Sequence, residues 1–372
     1  MVRVAAHNII SPLGCTSQEN FDKVVAGQSG IALRKKGELS DTDFQAALLN
    51  MEVLKDKISG IANAEAYTKL EQLCILSLNE VLDGVDVKSE RTGFIFSTTK
   101  GNITEITNNP HAVDALLATT ANKIANYFGF KSSPQVISNA CISGLAAFVI
   151  GRRYIDAGKY DNVIILGADI LSKFIVSGFQ SFQSLSPEPC KPFDANRDGL
   201  TLGEGVASVV LSKADNTNKA CVEVVSGAIS NDANHISGPS RTGEGLYRAI
   251  TRTVGANEEV DCICAHGTAT PYNDDMESHA ISRAGYETIP VSGLKGYFGH
   301  TLGAAGVIES IISILAMQNN VVIGTKGTVE QGVVAPVNVT KENIQKPVNG
   351  LLKLMSGFGG CNAAVYFKKH GE

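Results

Sequence analysis

"CISGLAA", residues 141 to 147, and "HTLGAAG", residues 300 to 306, are one kind of stretch met twice in a single chain. Each sets a side chain of reactive chemistry, Cys141 or His300, ahead of small residues that run on into an apolar segment. Laying one on the other pairs Gly144 with Gly303, and with one residue of slack it sets "NVIILG" (162 to 167) on "NVVIGT" (320 to 325). A similar pairing puts "TGFIFSTTKG" (92 to 101) opposite "VDCICAHGTA" (260 to 269). Each copy reads as extended segment, tight turn, apolar helix, short loop and β-branched strand. The common order predicts a duplicated α/β unit with halves 1–215 and 216–372. They meet near "KADNTNK" (213 to 219), a polar surface crossing.

Both related helices are apolar on nearly every face, from Ile142 to Ile150 and over most of Leu302 to Met317, so both are expected inside a multilayer core. Cys141 and His300 then stand at helix N-termini, where unsatisfied N–H groups favour negative charge and lower a thiol's pKa. Two readings of Cys141 stand side by side here, a small buried core residue and a nucleophile.

The bulk composition limits the alternatives. The chain has 372 residues, enough for a large core, with 44% hydrophobic and 19% charged residues, the balance of a folded enzyme. It carries 32 basic against 37 acidic side chains, a net charge of -5, which argues against nucleic acid as a partner. The start "MVRVAAHNIISPLG" lacks a basic region followed by a long apolar core, and no apolar run reaches the roughly 18 residues of a membrane helix. A cytoplasmic location follows as the expectation. Eight cysteines are scattered without a CxxC or Cys/His cluster suited to zinc, so no metal site is expected and free thiols are.

Three further stretches carry chemistry. "AHGTATPYND" (265 to 274) ends a strand on His266, followed by hydroxyl residues and a Pro-directed turn; a structural histidine is the plainer reading. "GLKGYFGHTLGAAG" (293 to 306) places Lys295 in a Gly-rich loop ahead of His300, where a solvated lysine is the plainer reading. "SGFGGCN" (356 to 362) packs glycines around Phe358, either as turn punctuation or for close backbone approach to a ligand. Glu309 is the one charge among Val307, Ile308, Ile311, Ile312 and Ile314. A buried carboxylate needs a partner, and Lys295 is the candidate.

With these residues in place, the chain resembles the elongating beta-ketoacyl-acyl carrier protein synthases of the thiolase-like superfamily. The resemblance rests on "SPLG" (11 to 14), "AGQSGI" (26 to 31), "NACISG", "KPFDANRDGLTLGEG" (191 to 205), "DANHISGP" (232 to 239), "HGTATPYND", "LKGYFGHTLGAAG" and "GFGGCNA", in order along nearly the whole chain. It implies a five-layer αβαβα fold, a homodimer or a heterodimer with a second ketosynthase-like chain, and acyl carrier protein as partner. It also implies that Cys141 takes the acyl group, and that His266 and His300 stabilise the enolate left when malonyl loses carbon dioxide. The backbone N–H groups of Cys141 and Phe358 would form the oxyanion hole, Lys295 with Glu309 would support the histidines, and Thr268 and Thr270 would bind the phosphopantetheine arm. No metal or bound organic cofactor is implied, since the phosphopantetheine arrives on the carrier.

This chain also departs from the family. Residues 101–116 are shorter than the family's stretch and 32–60 are atypical, Ile142 replaces a smaller residue, and Cys361 stands where a hydroxyl or small residue is usual. A non-catalytic partner subunit that shapes another ketosynthase's tunnel is one rival, opposed by the retention of Cys141, His266, Lys295 and His300. A degradative thiolase is the other, but it pairs its helix-head histidine with a second cysteine ahead of a glycine run. Here the glycines precede Cys361, and thiolases lack the strand-end motif of His266.

Overall fold

The computed structural model describes residues 1–109, 111–214 and 220–371. Ten strands carry the architecture: β1 (Val2–Ile10), β2 (Thr92–Ser97), β3 (Gln135–Ile137), β4 (Asn162–Asp169) and β5 (Gly205–Lys213), then β6 (Cys221–Asn231), β7 (Cys262–Cys264), β8 (Pro290–Ser292), β9 (Gly350–Gly357) and β10 (Cys361–His370). The first five lie in the order β3-β2-β4-β5-β1, and the second five in the order β8-β7-β9-β10-β6. In both sets the first three neighbours are parallel and the last two pairings antiparallel. The duplication read from the sequence is therefore a duplication of topology. The two sets touch edge to edge through a single pair, Arg3 with Glu223.

One of the three sequence matches fails. Val321–Val322 does not join the main sheet as the counterpart of β4; it pairs antiparallel with Ile344–Gln345. The strand in the equivalent position is β9, which lies parallel to β7 and follows about thirty residues later. β-branched residues signal an extended segment but not which sheet takes it up, and the second half carries extra chain between helix and strand. Most of the polar crossing at 213–219 lies outside the described residues.

Helices form three of the five layers. Helices α3 (Ser143–Asp156) and α8 (Ala305–Gln318) pack on strands of both sets and form the central layer. Phe148 and Val307 from these helices share one core with Val209 and Val365 from the two sheets. Outside the first sheet, α1 (Lys69–Asn79) and α2 (Leu117–Phe128) cover Phe96 and Val210 with Leu73 and Ile124. Outside the second, α5 (Glu244–Thr253) and α6 (Pro271–Arg283) cover Ile263 and Leu352 with Leu246 and Met276. Strand alternation does the sorting: Ile95 faces the central core and Phe96 the outer one. The result is the expected αβαβα stack.

The central pair approaches closely enough to need glycine. A Cβ on Gly306 would lie 2.4 Å from the Leu145 nitrogen, and one on Gly144 would lie 2.8 Å from the Gly303 carbonyl oxygen. No helix among the described residues is long and apolar enough to cross a membrane.

Candidate active site

Cys141 sits in the turn between β3 and α3, and the turn is held under strain. Ala140 has φ +45, a conformation that costs a non-glycine residue of the order of 1 kcal/mol or more. The Ser143 hydroxyl locks it: it accepts from the Asn139 N–H at 2.8 Å and donates to the Ala140 carbonyl at 2.6 Å. In the other half, His300 precedes a short 3-10 turn (Leu302–Ala304) that leads into α8. Both helix heads meet at one point: the Cys141 sulfur and a ring nitrogen from each of His266 and His300 lie within 4.8 Å of one another. Asp169 at the end of β4 stitches the region together, accepting from Gly303 N–H at 2.7 Å, Thr99 N–H at 2.9 Å and the Thr98 hydroxyl at 2.9 Å.

The electrostatics differ from the simple helix-head expectation. Burial pushes the Cys141 thiol up to about 12, with nearby Cys361 adding to the effect, while Lys295 and the Phe358 N–H pull the other way. Desolvation outweighs both, so the low thiol pKa expected of a helix head is not found and the resting nucleophile is a thiol. Both imidazoles are held well below the ordinary histidine value, first by burial and then by Lys295, with Lys353 contributing at each. They are neutral. Leu302 N–H donates to His300 Nδ1 at 3.2 Å, which assigns the proton to His300 Nε2, and that nitrogen is buried without a partner. His266 Nδ1 is likewise buried and unpartnered. Unpaired buried polar atoms are costly, and two in one site mark a place prepared for a ligand.

His266 is fixed by its backbone. Its N–H donates to Glu277 Oε1 at 2.7 Å, and its carbonyl accepts from Lys295 Nζ at 2.5 Å. Lys295, on the short helix α7 (Lys295–Phe298), is fully buried and pairs with Glu309 at 2.7 Å. The solvated-lysine reading of the Gly-rich loop is thereby overturned. Glu309 has a second partner that the sequence did not suggest, Lys353 of β9 at 2.6 Å. The available signal was one charge inside "GLLKLMSG".

Cys141, His266 and His300 open onto a cavity of about 520 Å³. Thr268 and Thr270 line it with their hydroxyls 2.8 Å apart. Phe358 lines it too, packed against Phe179 of α4 (Lys173–Ser181) at 5.8 Å and against Phe182 at 5.4 Å. Those two aromatic partners were not foreseen, since their segment carries no motif that sets it apart. Gly357 lies where a Cβ would come within 3.1 Å of the Cys141 nitrogen, so glycine there keeps that N–H open.

Comparison with known proteins fits this geometry. Residues 2–217 match the N-terminal domain and residues 221–328 the C-terminal domain of the beta-ketoacyl synthase family. The chain belongs to that family. It is 29% identical to 3-oxoacyl-acyl-carrier-protein synthase 2 of Vibrio cholerae and 26% identical to the protein of the same name from Rhizobium meliloti, covering 99% of each chain in both cases. A solved ketosynthase in complex with its chain length factor, from Xenorhabdus doucetiae, superposes with a TM-score of 0.85 at 24% identity over 99% of this chain and 97% of that one. This ketosynthase is thus an acyltransferase-type condensing enzyme with the thiolase-like fold.

Proposed function

We propose that the chain performs the decarboxylative Claisen condensation of a Cys141-bound acyl group with malonyl on acyl carrier protein, in type II fatty-acid or polyketide elongation. The observation that carries this is the meeting of one thiol with two neutral imidazoles, each with one buried ring nitrogen left without a partner, at the end of a cavity.

Acylation begins as the sulfur attacks a carrier thioester. His266, with Nδ1 free of any partner among the described residues, is the group able to receive the thiol proton; His300 already carries its proton on Nε2. A C–S bond forms at Cys141, the carrier's C–S bond breaks, and the proton passes through His266 to the leaving pantetheine thiolate. The tetrahedral oxyanion rests on the N–H groups of Cys141 and Phe358. In the second half-reaction malonyl loses carbon dioxide, and the electrons of the broken C–C bond become an enolate whose oxygen accepts from His300 Nε2–H and from the N–H that His266 carries on its other ring nitrogen, Nε2. The enolate carbon attacks the acyl carbonyl, and collapse expels the Cys141 thiolate, which takes up a proton from solvent to restore the resting thiol. Thr268 and Thr270 hold the phosphopantetheine arm that each carrier brings.

We assign residues 1–215 to the half that supplies the nucleophile and 216–372 to the half that supplies both histidines; the repeated strand order supports the division. β3 ends the sheet with one side unpaired among the described residues, and a second chain, either a copy of this one or a ketosynthase-like partner, would dock there. The eight cysteines are free thiols, the state that the cytoplasm maintains. A thiolase reading is disfavoured because the Cys361 thiol points to the carbonyls of Phe358 and Asn139.

The test separates the half-reactions. Cys141→Gln should abolish condensation yet keep or raise release of carbon dioxide from malonyl carrier protein, while His300→Ala should spare some self-acylation and lower decarboxylation by about 100-fold. Mass spectrometry of the Cys141 adduct provides the second readout. A folded Cys141→Gln protein that released no carbon dioxide would refute the reading.

A further inference from the structure

Glu309 bridges two buried ammonium groups, and only one of them belongs to the motif around His300. Its Oε1 pairs with Lys295 at 2.7 Å and its Oε2 with Lys353 at 2.6 Å, and all three side chains are at most 2% exposed. The register of β9 on β7 sets Lys353 beside Cys264. From there its Nζ donates to the Ala265 carbonyl at 3.1 Å and the Cys264 carbonyl at 3.4 Å, while Lys295 holds the carbonyl of His266, the next residue along. Two cations thus grip three successive carbonyls at the strand end that presents His266.

Their charges also have to be counted. A lone Lys295–Glu309 pair would be neutral and would project only a dipole toward the cavity. With Lys353 the triad carries one net positive charge, buried behind the histidines that meet the anion developing during decarboxylation, where low polarity strengthens the interaction. We propose that Lys353 is a positioning residue of the condensing site, fixing the strand end that carries His266 and supplying the excess positive charge that faces the enolate. This rests on the condensing reaction proposed above.

The charged and titratable groups around the two imidazoles come from every neighbouring element: Lys295 of α7, Lys353 of β9, Glu309 of α8, Asp274 and Glu277 of α6, Asp169 of β4 and Cys141 before α3. Among them Lys353 disfavours the imidazolium at both histidines. Burial works against its own charge, yet Cys264 and Glu309 beside it hold the Lys353 ammonium above its ordinary value, so it stays charged. Removing this cation must ease protonation of both rings; since a proton on His300 Nδ1 breaks the bond from Leu302 N–H that aims the ring, the acid limb of decarboxylation must move to higher pH.

Lys353→Gln keeps a donor for the Ala265 carbonyl but loses the charge; Lys353→Met loses both. Either variant should fold, since a balanced Lys295–Glu309 pair remains, and either serves if the other does not. In a Cys141→Gln background, decarboxylation of malonyl carrier protein should fall roughly tenfold at neutral pH, less than on loss of a direct donor. Its acid limb should shift upward. NMR titration of the histidine rings in substrate-free protein should show both His266 and His300 protonating at higher pH than in the parent, a readout that needs no turnover. A uniform loss across pH with unmoved histidine titrations would reduce Lys353 to a structural strut and overturn the proposal. If the titrations shift but the parent Cys141→Gln protein releases no carbon dioxide, the condensing reading fails while the electrostatic role of Lys353 stands.

Discussion

Cys141 combines a strained turn, a helix head and a thiol that burial pushes up to about 12. A thiol in that state gives a distinctive labelling curve. Its alkylation by iodoacetamide should climb about tenfold per pH unit from 7 to 10, because the thiolate fraction does; a plateau beginning near pH 7 would show that the helix head wins after all. The histidines predict the opposite dependence. As pH falls, a proton on His300 Nδ1 breaks the bond that this atom accepts from Leu302 N–H and the ring loses its aim, and the lowered pKa values place that loss below the ordinary 6.5. Decarboxylation by the Cys141→Gln variant should accordingly stay level from pH 8 down through 6.5, and a fall already at pH 7 would contradict the assignment. Glu309→Ala strands two buried ammonium groups at once. A loss of about 3–5 kcal/mol in urea unfolding is expected, and wild-type stability would mean that water reaches the triad.

At the scale of elements, the central helices are the most demanding contact. Gly306→Ala would place its methyl 2.4 Å from the Leu145 backbone nitrogen, which cannot give way as a side chain tip could. The helices must part, at a cost of about 1–3 kcal/mol, and both catalytic heads move with them; a variant with unchanged melting and activity would show that the pair is loosely packed. These helices were legible in the sequence because all-round apolarity is a strong signal, and so was the placing of Cys141 and His300 at their heads. The counterpart of β4 in the second half was not. "NVVIGT" and "GLLKLMSG" both read as extended, and only tertiary pairing decides which enters the sheet. Lys353 escaped for a related reason: one charge among the apolar residues of a short extended segment is a weak sign of burial, and its partner lies 44 residues away. The thiol's high pKa was missed because helix-head N–H groups are visible in a pattern, whereas depth below the surface is not.

For the whole molecule, the edge contact between the two sheets is a single residue pair, so α3 and α8 do most of the joining. The central core draws on both halves, with Phe148 against Phe367 at 5.6 Å as one of its links. Neither half can bury its inner face alone. Thermal unfolding should give one transition, coincident in near- and far-ultraviolet circular dichroism; two separated transitions would show that the halves are independent folding units.

The matching strand orders have a further consequence. Two like units face one another with their inner helices side by side, so the molecule carries an approximate two-fold axis, and the heads of those helices, Cys141 and His300, lie close to it. A pair of identical, unlinked subunits in this arrangement would offer a substrate the same residue twice. Once both copies lie on one chain, each position can change alone. The axis then becomes a place where unlike groups converge from mirrored origins, and a sulfur nucleophile can stand opposite an imidazole donor without either half having to carry both.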